Sequence, residues 1–187
     1  MTTRLSAAFR VAVGGLLSGL LVAGVVLAAP PARADSAPRD PADPATPVTV
    51  TADALPTVQI NGVVWSQAVV GNTVYVAGQF TRVRPAGAPA GTQETVRNNL
   101  LAYDIRTGEL ITSFAPDLNA QALAVTPSPD GSRIYVGGNF TVANGQPRYR
   151  FATYSTATGA LLNDFQPSFG AQVRAIAATA STVYVGG

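Results

Sequence analysis

The chain has 187 residues, with 12 arginines and no lysine against 10 acidic residues, and it contains neither histidine nor cysteine. That length suits one ordinary domain. The missing residue types exclude disulfides, thiol nucleophiles, thiolate zinc sites, imidazole bases and ligands, lysine Schiff bases and P-loop lysines.

The first element is a leader. Met1 to Arg10 carries two arginines and no acid, and Val11 to Ala29 is an uncharged run of 19 residues. Ala32-Arg33-Ala34 then supplies small residues around a cleavage point before Asp35. This order is expected of a secretory signal peptide over residues 1–34, with an uncleaved anchor as the rival because 19 apolar residues span a bilayer. Without Arg4, Arg10 and Arg33, 9 arginines face 10 acids, a balance of −1. No nucleic-acid partner is expected from such a balance. A Pro/Ala-rich linker follows over residues 35–56, too poor in large apolar groups to form a core. Within it, Pro47 to Thr51 is a candidate short strand.

From residue 57 the chain repeats itself. VYVAGQFT at Val74–Thr81 returns as IYVGGNFT at Ile134–Thr141, a shift of 60, and VYVGG returns at Val183–Gly187. Further along, a shift of 51 brings Arg97 onto Arg148, Tyr103 onto Tyr154, Leu110 onto Leu161, Phe114 onto Phe165 and Gln121 onto Gln172. The shifts differ through insertions in turn-like sequence, which a repeated structural unit tolerates best. Each unit is predicted to hold four short strands. In the second they are Ala120–Thr126, Arg133–Thr141, Tyr149–Ser155 and Ala160–Phe165, with turns at Asp130-Gly131, Ala143–Pro147 and Thr158-Gly159. In the first unit the corresponding hairpin turns fall at Gly71-Asn72 and Arg106-Thr107-Gly108. The strands are nearly continuous in apolar residues, so sheets covered on both faces are expected. The first strand is small in all three copies along one face: Val64, Ser66 and Ala68; Ala122, Ala124 and Thr126; Val173, Ala175 and Ala177. Such a strand suits the crowded centre of a propeller, while Phe80, Phe114, Phe140 and Phe165 supply bulk further out, each worth on the order of 2 kcal/mol when buried. The expected fold is therefore all-β, an incomplete β-propeller of about two and a half four-stranded antiparallel blades over residues 57–187.

The stretch IYVGGNFT…ATYSTATGALLNDFQP resembles the delta-60-type β-propeller repeat of secreted bacterial proteins and, more distantly, the kelch repeat with its Gly-Gly strand end. The resemblance covers roughly Pro56 to Gly187. It implies a propeller fold and an extracellular setting, and no particular reaction. Leu110 and Leu161 stand where kelch and quinoprotein repeats carry a tryptophan. Because closed propellers need roughly 4 to 8 blades, the chain is expected to be the N-terminal fragment of a longer protein, or a truncated gene copy.

Candidate site residues are few. Asp104, Glu109, Asp117, Asp130 and Asp164 are the carboxylates near turns, and a glycosidase needs two of them to converge. The expectation is that they accept backbone bonds. Arg97 and Arg148 recur in register and are expected to serve turn carbonyls or a neighbouring acid, with acidic glycans as the alternative. Trp65 is expected in packing between blades, with sugar stacking as the alternative. Gly78 and Gly138 point to close backbone approach or a bulge rather than a phosphate loop. Asn139-Phe140-Thr141 matches a glycosylation sequon, but Phe140 reads as buried. No catalytic residue, cofactor or metal is expected in this chain. The expected role is a secreted or cell-envelope binding or scaffold module. Its partners would be an extracellular polysaccharide or protein and further blades of the same protein, with membrane contact only through an uncleaved leader. The alternative is the N-terminal part of an extracellular propeller enzyme, glycan-active or quinoprotein-like, with its site in other blades.

Overall fold

The computed structural model describes residues 57–187. The leader, the linker and the candidate strand at Pro47 to Thr51 lie outside these residues. Thirteen strands and no helix are found among the described residues.

The first unit is a sheet of three antiparallel strands in the order β2-β3-β6. These are Val63–Val70, Thr73–Gln79 and Leu100–Asp104. The second repeats it with β7, β8 and β11, which span Ala122–Pro127, Arg133–Gly138 and Phe151–Ser155. The third is the hairpin of β12 and β13, Ala175–Ala178 and Val183–Gly186. Two ribbons flank them. One joins β1 (Gln59–Ile60), β4 (Arg82–Arg84) and β5 (Thr95–Val96). The other is a hairpin of β9 (Val142–Ala143) and β10 (Gln146–Pro147), turning at Asn144 and Gly145, both at positive φ.

The first hairpin turns where the sequence places it. Gly71, at φ 58°, turns β2 into β3. Val64 pairs with Gly78 and Ser66 with Ala77, with a bulge between. Ala122 pairs with Gly138 and Ala124 with Gly137, with the same bulge. Trp65 and Leu123 are thus equivalent bulged positions.

The fourth strand is shorter than the sequence suggests. Ala160–Phe165 contributes one bridge, Tyr154 with Leu161, and the first unit has its counterpart in Tyr103 with Leu110. Beyond the bridge the repeated arginines hold this edge: Arg97 Nη2 donates to the Thr112 carbonyl at 2.9 Å and Arg148 Nη2 to that of Leu162 at 3.4 Å. Each complete unit is thus three strands and a one-bridge edge. Among the described residues no sheet closes on itself.

Alternation puts Ser66, Ala68, Tyr75, Ala77, Leu100 and Ala102 on one face of the first sheet. Val125, Ile134, Val136, Ala152 and Tyr154 lie on one face of the second. These two faces meet in the main core. The other face of the second sheet receives Val173 and Ile176 from the third unit, and a β-carbon at Gly137 would overlap Val173. Both faces of β3, β8 and β11 are consequently buried, as their apolar runs require. Hydroxyls on the innermost strands tie one unit to the next. Ser66 Oγ accepts from Val125 N at 3.1 Å, and Thr126 Oγ1 donates to the Ile176 carbonyl at 2.9 Å.

Aromatic rings cross the same interfaces. Phe114 stands edge-on between Tyr75 (5.2 Å between centroids) and Tyr154 (5.9 Å). Each such pair adds about 1 kcal/mol beyond its buried area. In the next unit Phe165 meets Tyr135 in the same way at 5.9 Å. The bulk expected at Phe165 is only partly buried, however. Phe114 is 4 % exposed and Phe165 36 %, since no counterpart of Tyr154 covers Phe165 among the described residues.

Candidate functional site

The carboxylates do not form a reactive pair. Asp104 Oδ1 accepts from the backbone of Arg106 (2.7 Å) and Thr107 (3.2 Å), and Arg106 lies 3.5 Å from its other oxygen. The Arg106 backbone bond is the first cause of its lowered pKa. Asp130 Oδ1 collects the hydroxyls of Ser128 (2.5 Å) and Ser132 (3.0 Å) and the Ser132 backbone (3.1 Å). These bonds, led by Ser128, stabilise the carboxylate and lower its pKa to about 2. Asp164 pairs with Arg133 at 3.0 Å. Asp117 takes the Asn98 amide at 2.8 Å, and its own backbone bonds Asn144 in both directions. Glu109 sits on the wall of a separate groove of about 500 Å³ built on the first unit's long loop. None of these acids stands ready to take or give a proton at a shared point. Among the described residues no three acids cluster as metal ligands.

The two repeated arginines serve the repeat. Arg97 and Arg148 are buried. Each guanidinium holds the carbonyl of its predecessor, Val96 at 2.8 Å and Pro147 at 2.7 Å. Arg148 also grips the side chains of Asn163 and Gln146. Both therefore clamp the chain that follows the one-bridge edge, and neither offers a free charge to a ligand. Two residues on, Asn99 (φ 67°) and Arg150 (φ 71°) turn the chain in the left-handed region. Their carbonyls accept from Gly78 and Gly138, at 3.0 and 3.1 Å.

The glycines act by contact. A β-carbon at Gly78 would overlap the Val63 carbonyl, one at Gly138 that of Gln121, and one at Gly187 that of Gln172. The last glycine of each phrase thus admits backbone at or just before the unit's first strand, and the phosphate-loop reading has no geometric basis. Trp65 is 52 % exposed instead of packed between sheets. The bulge places it on the outward side of β2, where no described sheet lies against it. Phe140 is fully buried, and Asn139 is half-buried.

Sequence reading missed one column. Asn61 and Asn119 each accept two backbone bonds, from Thr81 and Arg82 (both 2.9 Å) and from Thr141 and Val142 (2.9 and 3.0 Å). Each amide also donates to the threonine hydroxyl, at 2.9 and 3.0 Å. The signal was present in the Thr of each Phe-Thr, which needed a partner, but the two asparagines sit outside the strands that carried the alignment.

These asparagines floor an open cleft of about 680 Å³, spanning the first two units. Its walls hold six carboxamides, Asn61, Gln79, Asn99, Asn119, Gln121 and Asn139, and no charged side chain. Asn61, Asn99 and Asn119 are spent on the fold. With the Gln172 carboxamide turned to match its neighbours, its nitrogen donates to Asn139 Oδ1 at 2.9 Å. Gln121 occupies the equivalent place beside Gln79, yet neither of those two side chains hydrogen-bonds a described residue. Gln79 and Gln121 therefore present donors and acceptors to the cleft.

No family model matches the chain, and a search of curated proteins finds no significant relative.

Proposed function

We propose that this chain is a secreted or cell-envelope binding module, built from delta-60-type β-propeller blades, that takes an uncharged extracellular polysaccharide in the carboxamide cleft. The leader at residues 1–34 directs export, and the linker at 35–56 spaces the repeats from it. The reading rests above all on the cleft between the first two units, where Gln79 and Gln121 offer paired donors and acceptors in a lining that contains no charged side chain. Sugar hydroxyls both donate and accept, and carboxamides match that pattern at low desolvation cost. Asn61, Asn99 and Asn119 hold the walls rigid, so little ordering entropy is lost on binding. The chain carries no catalysis in this proposal.

The test is binding of neutral and acidic glycans to the full chain, expressed with its own leader and recovered outside the cell. Retention on a neutral glycan is expected, weakened at least about tenfold, or about 1.4 kcal/mol, in Gln79→Ala/Gln121→Ala. Binding only to acidic glycans, or neutral binding untouched by the double substitution, would sink the proposal.

A further inference from the structure

The long loop of the first unit builds a groove that the second unit does not repeat. Both units carry a hairpin ahead of the repeated arginine. In the second, Asn144 and Gly145 alone join β9 to β10. In the first, Pro85 to Glu94 join β4 to β5. This loop is built of two turns in tandem, Pro85-Ala86-Gly87-Ala88 and Pro89-Ala90-Gly91-Thr92. In each, the last residue's N–H donates to the first residue's carbonyl, at 3.2 and 3.1 Å, and the third residue is a glycine, at φ 76° and 81°. That is the type II pattern, which calls for glycine there. Arg84 Nε fastens the loop by donating to the Ala88 carbonyl at 3.0 Å, and Glu94 accepts from Gly91 N at 3.0 Å. The groove, of about 500 Å³, lies between this loop and the Thr107–Glu109 turn at the edge of the first sheet. One short segment ties the two walls together: Val58 N donates to the Gly108 carbonyl at 3.1 Å, and Gln59 beside it pairs with Arg84. Val58 and Leu110 pack on buried Val83 and give the groove an apolar floor. Arg84 lines one wall and Glu109 the other. Among the described residues neither meets an opposite charge at ion-pair distance. There, too, the Arg84 side chain is bonded through Nε alone and Glu109 through its backbone alone.

We propose that this groove binds a zwitterion with an apolar body, of dipeptide size, with its carboxylate on Arg84, its ammonium on Glu109 and its side chains over Val58, Val83 and Leu110. The argument is charge complementarity. The walls bear opposite charges that no described residue neutralises, and a ligand carrying both charges satisfies both at once. The guanidinium offers paired donors that match a carboxylate, and the Glu109 carboxylate accepts from an ammonium. The volume falls within the range of small-molecule sites. The tandem turns fix the Arg84 wall before a ligand arrives, so little ordering entropy is lost on binding. The loop is also the largest insertion that separates the two units, and additions of this kind to a scaffold are where binding residues concentrate. The groove shares no lining residue with the carboxamide cleft, so the inference stands apart from the polysaccharide reading.

Isothermal titration calorimetry of the full chain with leucyl-leucine tests it, beside the N-acetylated dipeptide and the dipeptide amide, each of which lacks one charge. The free dipeptide is expected to bind saturably, and each blocked form at least about tenfold more weakly. Arg84→Gln should abolish the preference over the amide while keeping the preference over the acetylated form. Glu109→Gln should do the reverse. This crossed pattern separates lost charge from a damaged loop, which would weaken all three forms alike. Circular dichroism melting verifies that both variants are folded, and exposed Glu109, outside the loop, provides the arm that leaves the loop intact. No saturable binding of leucyl-leucine would overturn the proposal. So would equal binding of the free and blocked forms, or folded variants that keep the wild-type preferences or weaken every form equally.

Discussion

Gly138 has an ordinary φ and nevertheless admits no side chain, because the Gln121 carbonyl occupies the space of its β-carbon. The obstacle is backbone on a paired strand, which moves only with the strand itself. Gly138→Ala is therefore expected to cost more than about 2 kcal/mol, toward the upper part of the usual range for overpacking. Gly170→Ala, with open space around its β-carbon, should stay within about 0.5 kcal/mol of wild type. Chemical denaturation of both variants decides, and equal costs would mean that the glycines are kept for flexibility. The arginines teach a related lesson. Arg97 and Arg148 are buried by carbonyl bonds, with the Nε of each left without a partner, so their recurrence reflects chain packing and not ligand charge.

Turn chemistry sets the hairpin between β7 and β8. Asp130 gathers three bonds within its own turn, and its pKa falls to about 2 from an ordinary value of 3.8. A depressed carboxylate stabilises the fold above its unfolded pKa, and that contribution disappears as pH falls through the folded value. Thermal melts should thus lose stability between pH 4 and pH 2 to a smaller extent in Asp130→Asn than in wild type; parallel pH profiles would show that the turn does not depend on the ionised form. This hairpin was legible in the sequence because Asp-Gly between β-branched runs has a local meaning. The three-strand order and the both-faces burial of β8 were legible for the same reason: alternation and apolar continuity are written along the strand. The fourth strand was over-read. Ala160–Phe165 has strand composition, but only Leu161 bridges the neighbouring strand, and how much of an edge pairs is set by the tertiary contacts around it, which leave no trace in local composition. The carboxamide cleft stayed hidden likewise, since Asn61, Gln79, Asn119 and Gln121 meet only when two units stack. Trp65 was expected inside, but the bulge that turns it outward depends on pairing with Gly78 and Ala77.

Across the molecule, the units are not beads on a string. The first sheet's Tyr75, Phe114 from the edge of the same unit and the second sheet's Tyr154 form one chain of rings, and Ser66 and Thr126 stitch the innermost strands together. Nearest-neighbour coupling of this kind makes repeats unfold together. The cleft exists only because the first two units are held in this register, so the polysaccharide-binding proposal depends on it. The most direct measurement is the nuclear Overhauser effect from the Phe114 ring in the full chain. The account predicts cross-peaks to the rings of both Tyr75 and Tyr154. Contact with Tyr75 alone, and none with Tyr154, would mean that the two sheets do not stack, and would contradict it.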